Sequence, residues 1–121
     1  MSDVLSWNLQ LSIRDGRYED LQALIEEMAE STRSEKGTLV YEWFLTDDQS
    51  TCHIYERYAD EAAVMAHLAN FGLKFAERFM SCLEPTAFYV YGEPSDEVRG
   101  ALVGLGAVYL GPVGGFSRQD P

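Results

Sequence analysis

The sequence predicts an α+β domain in which two amphipathic helices cover one face of a four-stranded antiparallel sheet. Segments with alternating apolar and polar residues are typical of half-buried strands. Two longer segments repeat apolar residues at helical spacing, and the elements follow the order strand, helix, strand, strand, helix, strand. A chain of 121 residues is of ordinary size for one such core.

Composition and charge exclude several classes of protein. The hydrophobic fraction of 46% and the charged fraction of 24% are typical of a soluble globular domain. No apolar run approaches the roughly 20 residues of a membrane span, and the N-terminus lacks the features of a secretory signal. The net charge of −11 disfavours nucleic-acid binding. We therefore expect a cytoplasmic protein with neither a membrane nor a nucleic-acid partner.

Cysteine and histidine usage argues against a metal site. Cys52 and Cys82 lie in different predicted elements, and the chain has only two histidines. This spacing does not match a structural zinc site, so buried free thiols are expected. We predict neither a metal nor a cofactor.

The first strand and helix are predicted from residues 5–13 and from about residues 17–33. Residues 5–13 alternate strictly, with Trp7 on the apolar face and Asn8 on the polar face. Asp15 and Gly16 supply the turn between the two elements. Gly37 is expected to end this unit as a helix stop signal.

The two middle strands, residues 38–46 and 50–58, form a predicted hairpin with apolar side chains on both faces. In the first of them, Tyr41 and Trp43 face one way, and Val40 and Phe44 face the other. The last strand, residues 86–91 after the breaker Pro85, shows the same pattern. Because two helices cover only one face of this sheet, we expect the other face to meet a second copy in a homodimer.

The second helical region, residues 61–83 with an interruption near Gly72, follows directly after the hairpin. Asp60 is placed to cap it, and Val64, His67 and Phe71 lie on its apolar face. The strand that carries Glu56 therefore leads into a helix that directs the His67 imidazole towards a sheet or a cavity.

These elements give the split βαββαβ order of ferredoxin-like domains, with residues 1–92 as the domain and 93–121 as an extension. The extension begins with a short helix that Ser95 is expected to cap, followed by a loose strand between glycines. The glycine-rich end does not lie between a strand and a helix, so it is not a phosphate-binding loop. We expect it to pack on the domain or on a partner subunit.

From residue 6 to 92 the sequence resembles the antibiotic biosynthesis monooxygenase family, whose members are small dimeric α+β-barrel proteins. The matching motif is a strand with the pattern aromatic-x-Glu-x-aromatic, followed by Asp, an alanine-rich helix start and a histidine. The residues that carry the resemblance are Gly37, Tyr41, Ile54, Glu56, Tyr58, Asp60, Ala63, His67, Phe71 and Phe75. Many members have Trp at the position of Tyr58.

The resemblance implies a dimeric α/β barrel and several possible chemistries. Characterised members include cofactor-free oxygenases of quinols or phenolic polyketides, an isomerase and haem-degrading enzymes. The haem-degrading branch needs an axial histidine in the later half of the second helix, and residues 71–83 contain none. Asn8 lies near the first-strand asparagine of that branch but is out of register. Haem degradation is therefore disfavoured.

A cofactor-free oxygenase needs an apolar pocket, a base, and donors that hold the substrate anion. His67 has an ordinary pKa suited to the base, and Glu56 could orient it or take the proton. Tyr41, Trp43, Tyr58 and Phe71 could contact an aromatic substrate, and Asn8 could bind a carbonyl or oxyanion.

Each candidate also has a structural interpretation. His67 could be a core histidine bonded to a backbone carbonyl, and Glu56 could pair with Arg57, Arg14 or an arginine of a partner subunit. The aromatic residues could belong to the core or the dimer interface. Two hypotheses therefore remain open: a monooxygenase acting with O2 on a quinol or a phenolic aromatic molecule, and a non-catalytic dimeric binding or stress-related module. The feature that separates them is whether His67 and Glu56 share a pocket large enough for a ring.

Overall fold

The computed structural model describes residues 4–118, which form one five-stranded sheet with helices on one face. The elements are β1 (Leu5–Ile13), α1 (Tyr18–Arg33), β2 (Thr38–Leu45), β3 (Thr51–Tyr58), α2 (Glu61–Lys74), α3 (Ala76–Cys82), β4 (Leu83–Tyr91), α4 (Asp96–Ala101) and β5 (Ala107–Leu110). The first seven elements confirm the predicted α+β, ferredoxin-like class. No helix in the described part of the chain combines the length and apolarity that a membrane span requires.

The sheet has the strand order β2-β3-β1-β4-β5. The pairs among β1 to β4 are antiparallel, and β5 adds to the edge as a parallel neighbour of β4. Because β1 lies at the centre of the sheet, its residues and their paired neighbours show which side chains lie on each face. The helix-covered face carries Trp7 opposite Glu56, and the opposite face carries Asn8 between Tyr55 and Tyr89.

The core lies between the sheet and the helices in two adjoining clusters. One joins β1 and β3 to α1 and α3, with Leu11, Leu21 and Ile54 at its centre. The other joins the sheet to α2 and α4 through Trp7, Val64 and other buried residues. The ring of Trp7 contacts those of Tyr58 and Phe88, at centroid distances of 4.9 and 5.4 Å.

Two predicted boundaries shift in the structure. The second helical region divides at Phe75 rather than near Gly72, which remains inside α2. Pro85 lies within β4 instead of before it, close to the point where the register of β1 and β4 shifts between Gln10 and Leu11. Proline lacks the N–H that a regular ladder needs, so a register irregularity is one of the few places in a sheet that accept it.

Gly37 acts through close packing rather than through a helix stop. A Cβ atom at this position would lie 2.5 Å from the Cβ of Ala63 on α2. The Gly37 carbonyl also accepts a hydrogen bond from the backbone N–H of Ala59 at 2.9 Å. The absence of a side chain therefore lets the segment between α1 and β2 lie directly against the first turn of α2.

Asp60 caps α2 as the sequence predicts. Its carboxylate accepts a hydrogen bond from the backbone N–H of Ala63 at 2.9 Å. This bond fixes the start of the helix, and Val64 and His67 then fall on its buried side. The cap and the apolar spacing together direct His67 towards the sheet.

Candidate active site

Glu56 is a buried carboxylate on the helix-covered face of β3. Its register neighbours are Trp7 on β1 and Tyr41 on β2, and the residue is only 5% exposed. Burying a carboxylate is costly unless hydrogen bonds or opposite charge compensate it. The groups that compensate Glu56 therefore define the site.

His67 lies between two carboxylates. Its Nδ1 is 2.8 Å from Oε1 of Glu35, and its Nε2 is 3.1 Å from Oε1 of Glu56. A neutral imidazole has one N–H and can donate to only one of them, whereas an imidazolium donates to both. The geometry therefore favours the protonated ring.

The pKa of His67 follows from the same contacts. Burial lowers the pKa, but the hydrogen bonds and negative charges of Glu56 and Glu35 raise it by more, so the pKa lies above its usual value. With His67 protonated, the three groups carry two negative charges and one positive charge. The site is then net anionic.

Tyr58 completes the hydrogen-bonded chain. Its hydroxyl donates to Oε1 of Glu56, the same oxygen that faces His67. Burial, followed by the charge of Glu56, raises the pKa of Tyr58 well above its usual value, so the phenol keeps its proton. We call the series Glu35, His67, Glu56 and Tyr58 the buried proton network. Oε2 of Glu56 receives no hydrogen bond from residues 4–118, which leaves this oxygen available to a ligand.

Glu35 is the member of this network that the sequence did not reveal. It lies in the connection between α1 and β2, and both of its oxygens are engaged. Oε1 also accepts from the Thr38 hydroxyl at 3.1 Å, and Oε2 accepts from the Asn70 side-chain amide at 3.1 Å. Asn70 follows His67 by one helical turn, so this spacing was the available signal for a polar partner. Nothing local distinguished Glu35 from the chain's other acids.

Glu56 and His67 line a cavity of about 470 Å³. Much of the remaining lining is apolar or aromatic, including Trp7, Leu9, Phe71 and Phe88. This volume falls within the range of roughly 300–1,000 Å³ typical of small-molecule sites. Glu56 and His67 are 5% and 6% exposed, whereas Met80 and Leu105, which also line the cavity, are 47% and 51% exposed. The lining therefore has a buried acidic part and an exposed apolar part. Glu56 lies on β3 and Leu105 just before β5, and β1 and β4 lie between these two strands.

Tyr41 adds an unpaired donor beside the network. It lines the cavity, and its ring centroid is 5.7 Å from that of His67. Its hydroxyl is buried and makes no hydrogen bond within residues 4–118. Burial and the charge of Glu56 raise the pKa of Tyr41 despite the opposing effects of Trp43 and Thr32, so it remains a phenol. The hydroxyl has almost no accessible surface, so Tyr41 does not offer it to a ligand in the cavity.

The structure brings together some of the predicted site residues and separates others. His67, Glu56, Tyr41 and Phe71 line one cavity. Tyr58 lies behind Glu56, is fully buried, and meets the network rather than the cavity.

Trp43 and Asn8 lie away from this cavity. Trp43 contacts Phe79 and lines a separate depression beside α1. Asn8 is on the opposite face of the sheet, where its side-chain oxygen is buried without a hydrogen bond from residues 4–118. Strand alternation explains the placement of Asn8, because neighbouring residues on β1 point to opposite faces.

The contacts of His67 and Glu56 differ from the structural alternatives that the sequence allowed. His67 bonds two carboxylates instead of a backbone carbonyl, and Arg14 pairs with Glu84 at the surface instead of with Glu56. Within residues 4–118 no group of three or more His, Cys, Asp or Glu side chains is arranged to hold a metal ion. The two carboxylates here bind opposite edges of one ring.

The sequence also matches a model of a protein family. The model described as antibiotic biosynthesis monooxygenase matches residues 7–78, more than half of the sequence. The chain belongs to the antibiotic biosynthesis monooxygenase family. The match includes all four members of the buried proton network. No curated protein matches the sequence.

Solved structures share the fold of this family member. MupZ from Pseudomonas fluorescens superimposes with a TM-score of 0.86 at 22% identity, over 98% of this chain and 91% of MupZ. A variant of SnoaB from Streptomyces nogalater, a cofactor-independent oxygenase, gives a TM-score of 0.65 at 12% identity, over 78% of this chain and 96% of SnoaB. A Bacteroides thetaiotaomicron protein that carries the family's name is 29% identical, with a TM-score of 0.60, over 69% and 85% of the two chains. At such identities, these likenesses concern the fold.

Proposed function

We propose that this protein is a cofactor-independent monooxygenase that acts with O2 on a quinol or a phenolic, polyketide-like aromatic molecule. One observation carries the proposal: Glu56 and His67 share a largely apolar cavity of ring-accommodating size. Family membership supports the reaction class, and the likeness to SnoaB, itself a cofactor-independent oxygenase, agrees with it. His67 and Glu56 are the proposed catalytic residues.

Glu56 is the proton acceptor in this proposal. Both nitrogens of His67 face carboxylates, so the ring has no free lone pair to offer a substrate when it is protonated. Oε2 of Glu56 lacks a partner in residues 4–118 and belongs to a cavity-lining residue. His67 and Tyr58 hold the other oxygen and so fix the orientation of the carboxylate. The substrate hydroxyl would donate its proton to Oε2.

The substrate itself supplies the electrons for the reaction. Once deprotonated, an electron-rich phenolate transfers an electron to O2, and recombination of the two radicals forms a carbon–oxygen bond. The proton held by Glu56 converts the resulting peroxide anion to a hydroperoxide. Loss of the ring proton and of hydroxide from this hydroperoxide leaves a carbonyl group, and the two lost groups combine as water. A hydroquinone plus O2 thus gives a hydroxyquinone plus water, with no other reductant required.

Charge and hydrogen bonding define what the site would accept. The net anionic network disfavours an anionic substrate, so the ligand enters as a neutral phenol. Phe71 and the other aromatic walls offer apolar contact to a ring system.

A Glu56→Gln variant tests the proposal with a nearly isosteric side chain. O2 consumption is measured with a panel of hydroquinones and polycyclic phenols. We expect turnover to fall by about 10²–10⁴-fold, the usual contribution of a general base. Glu19→Gln, at an exposed position on α1, is the matched control and should leave turnover unchanged. Unchanged turnover in Glu56→Gln would refute the assignment of the base.

The competing hypothesis is a binding module of the same fold. It predicts that members of the panel bind without O2 consumption. Saturable binding with no turnover by the unmutated protein on any member would therefore favour the module and reject the monooxygenase. A cytoplasmic location stays a prediction from the sequence.

We also infer that the chain forms a homodimer through the uncovered face of its sheet, since members of this family are often dimeric. Exposed apolar side chains on this face are Phe44, Tyr91, Val108 and Leu110.

Light scattering tests the dimer directly. We expect a dimer at micromolar concentration, and Phe44→Glu should weaken it at least about tenfold, because it places a charge in an apolar contact. Leu73→Glu is the matched control, since Leu73 is 85% exposed on α2 and away from this face. A monomeric unmutated protein at micromolar concentration would refute the dimer.

A further inference from the structure

The C-terminal part of the chain is anchored firmly to α2. Ser95 donates to Glu61 twice, through its backbone N–H at 2.7 Å and its hydroxyl at 2.6 Å. Val98 and Leu102 are almost completely buried in the core cluster that contains Trp7. This part of the chain is therefore an integral layer of the fold and has a fixed position relative to the cavity.

Residues 102–106, which we call the end loop, form part of the cavity wall. Gly104 and Gly106 have φ angles of 90° and 73°, a region that glycine adopts without strain. Leu102 and Leu105 contribute side chains to the lining, and both glycines line it as well. The tight backbone path thus adds an apolar part to the cavity wall next to β5, which is three strands from the strand that carries Glu56.

The end loop lies beyond the residues that match the family model, which stops at residue 78. The acid–base groups therefore belong to the common domain, whereas this part of the wall is supplied by the extension. Leu102 is 1% exposed and Leu105 is 51% exposed, so the loop contributes both a buried and a solvent-exposed residue to the lining.

We propose that the end loop is the subsite for the apolar part of the ligand, and that Leu105 limits how long that part can be. The ligand class is a neutral amphiphile with a hydroxyl group at one end and an extended apolar body at the other. The hydroxyl lies at Glu56, and the apolar body runs along Phe88 and Leu102 to Leu105. This inference rests on the same cavity as the proposed monooxygenase, but it concerns ligand binding rather than oxygen chemistry.

A series of 4-alkylphenols with chains from ethyl to octyl tests the inference. Binding to the full-length protein is measured by calorimetry, so the readout is independent of O2 consumption. Each methylene group that enters the cavity should tighten binding about fourfold. The gain should stop at the chain length that passes Leu105, where further methylene groups reach solvent.

Leu105→Trp and Leu105→Ala change this limit in defined ways. With Leu105→Trp, affinity should stop rising at a shorter chain, and the longest phenols should bind at least about tenfold more weakly. With Leu105→Ala, the longest phenols should lose several-fold in affinity, because their contact with the side chain is removed. Binding of 4-ethylphenol should stay within about twofold in both variants.

Val103→Trp is the matched control, because Val103 is 80% exposed in the same loop and does not line the cavity. It should leave the dependence on chain length unchanged. Circular dichroism verifies folding, and Leu105→Ala provides the test if Leu105→Trp does not fold. An unchanged dependence on chain length in the folded Leu105 variants would overturn the proposal, as would failure of every alkylphenol to bind.

Failure of the oxygen chemistry is a separate outcome. If the dependence on chain length shifts as expected while no phenol or hydroquinone is oxidised, the subsite stands and the monooxygenase is rejected. If oxidation occurs and the Leu105 variants bind every chain length as the unmutated protein does, the monooxygenase stands and the subsite is rejected.

Discussion

Replacing Glu35 by Gln should show how strongly the buried proton network controls His67. The Glu35 side chain is 9% exposed and lies 2.8 Å from Nδ1 of His67. Gln has nearly the same shape and keeps an oxygen that can accept from this nitrogen, but it removes one negative charge. The substitution therefore separates the effect of charge from the effect of packing.

The magnitude follows from the contacts that remain. Removing one partner of a buried ion pair costs about 3–5 kcal/mol when the other charge is left alone. Here Glu56 still pairs with His67 at 3.1 Å, and the new amide can keep one hydrogen bond. We therefore expect the free energy of unfolding to fall by about 1–3 kcal/mol, the cost of an impaired buried hydrogen bond. For a chain of this size each kcal/mol lowers Tm by several degrees.

The pH dependence of the effect has a defined sign. The pKa of His67 is raised in the folded protein, so its protonation stabilises the fold fully below the unfolded-state value of about 6.5. This contribution declines as pH rises through the higher folded-state pKa. In Glu35→Gln the pKa of His67 should fall, and stability should therefore decline less as pH rises above about 6.5.

Nuclear magnetic resonance and thermal melting provide the two measurements. A His53→Gln background leaves one histidine, so the imidazole signal that titrates belongs to His67. Glu30→Gln is the matched control, since the Glu30 side chain is 81% exposed on α1 and should change stability by less than about 0.5 kcal/mol. An unchanged or raised pKa of His67 in Glu35→Gln would contradict the charge argument.

Two further substitutions test the network and the packing that positions it. His67→Ala leaves two carboxylates facing each other, so it should lower stability by about 3–5 kcal/mol and lower turnover as well. Chemical denaturation and O2 consumption per folded molecule measure the two effects, and unchanged turnover would assign His67 a structural role alone. Gly37→Ala should lower Tm and shift the His67 titration, because its Cβ would lie 2.5 Å from that of Ala63, whereas Gly100→Ala, with open space around it, should not. Equal melting temperatures for the two glycine variants would refute the packing argument.

The sequence by itself determined the elements and which of their faces are buried. Alternation on β1 placed Trp7 towards the helices, and helical spacing with the Asp60 cap placed His67 towards the sheet. These features are local, because the direction of a side chain follows from the backbone period of its own element. The family match and the ferredoxin-like order depend on the same local patterns.

Only the tertiary structure decided which side chains meet. Glu35 reaches His67 although they are 32 residues apart, and the close approach at Gly37 that permits it depends on a neighbour in another element. Likewise, Leu105 joins the cavity wall because α4 docks on α2 and β5 pairs with β4. A hydrogen-bond partner or a cavity wall is a relation between distant segments, and no periodicity within one segment encodes it.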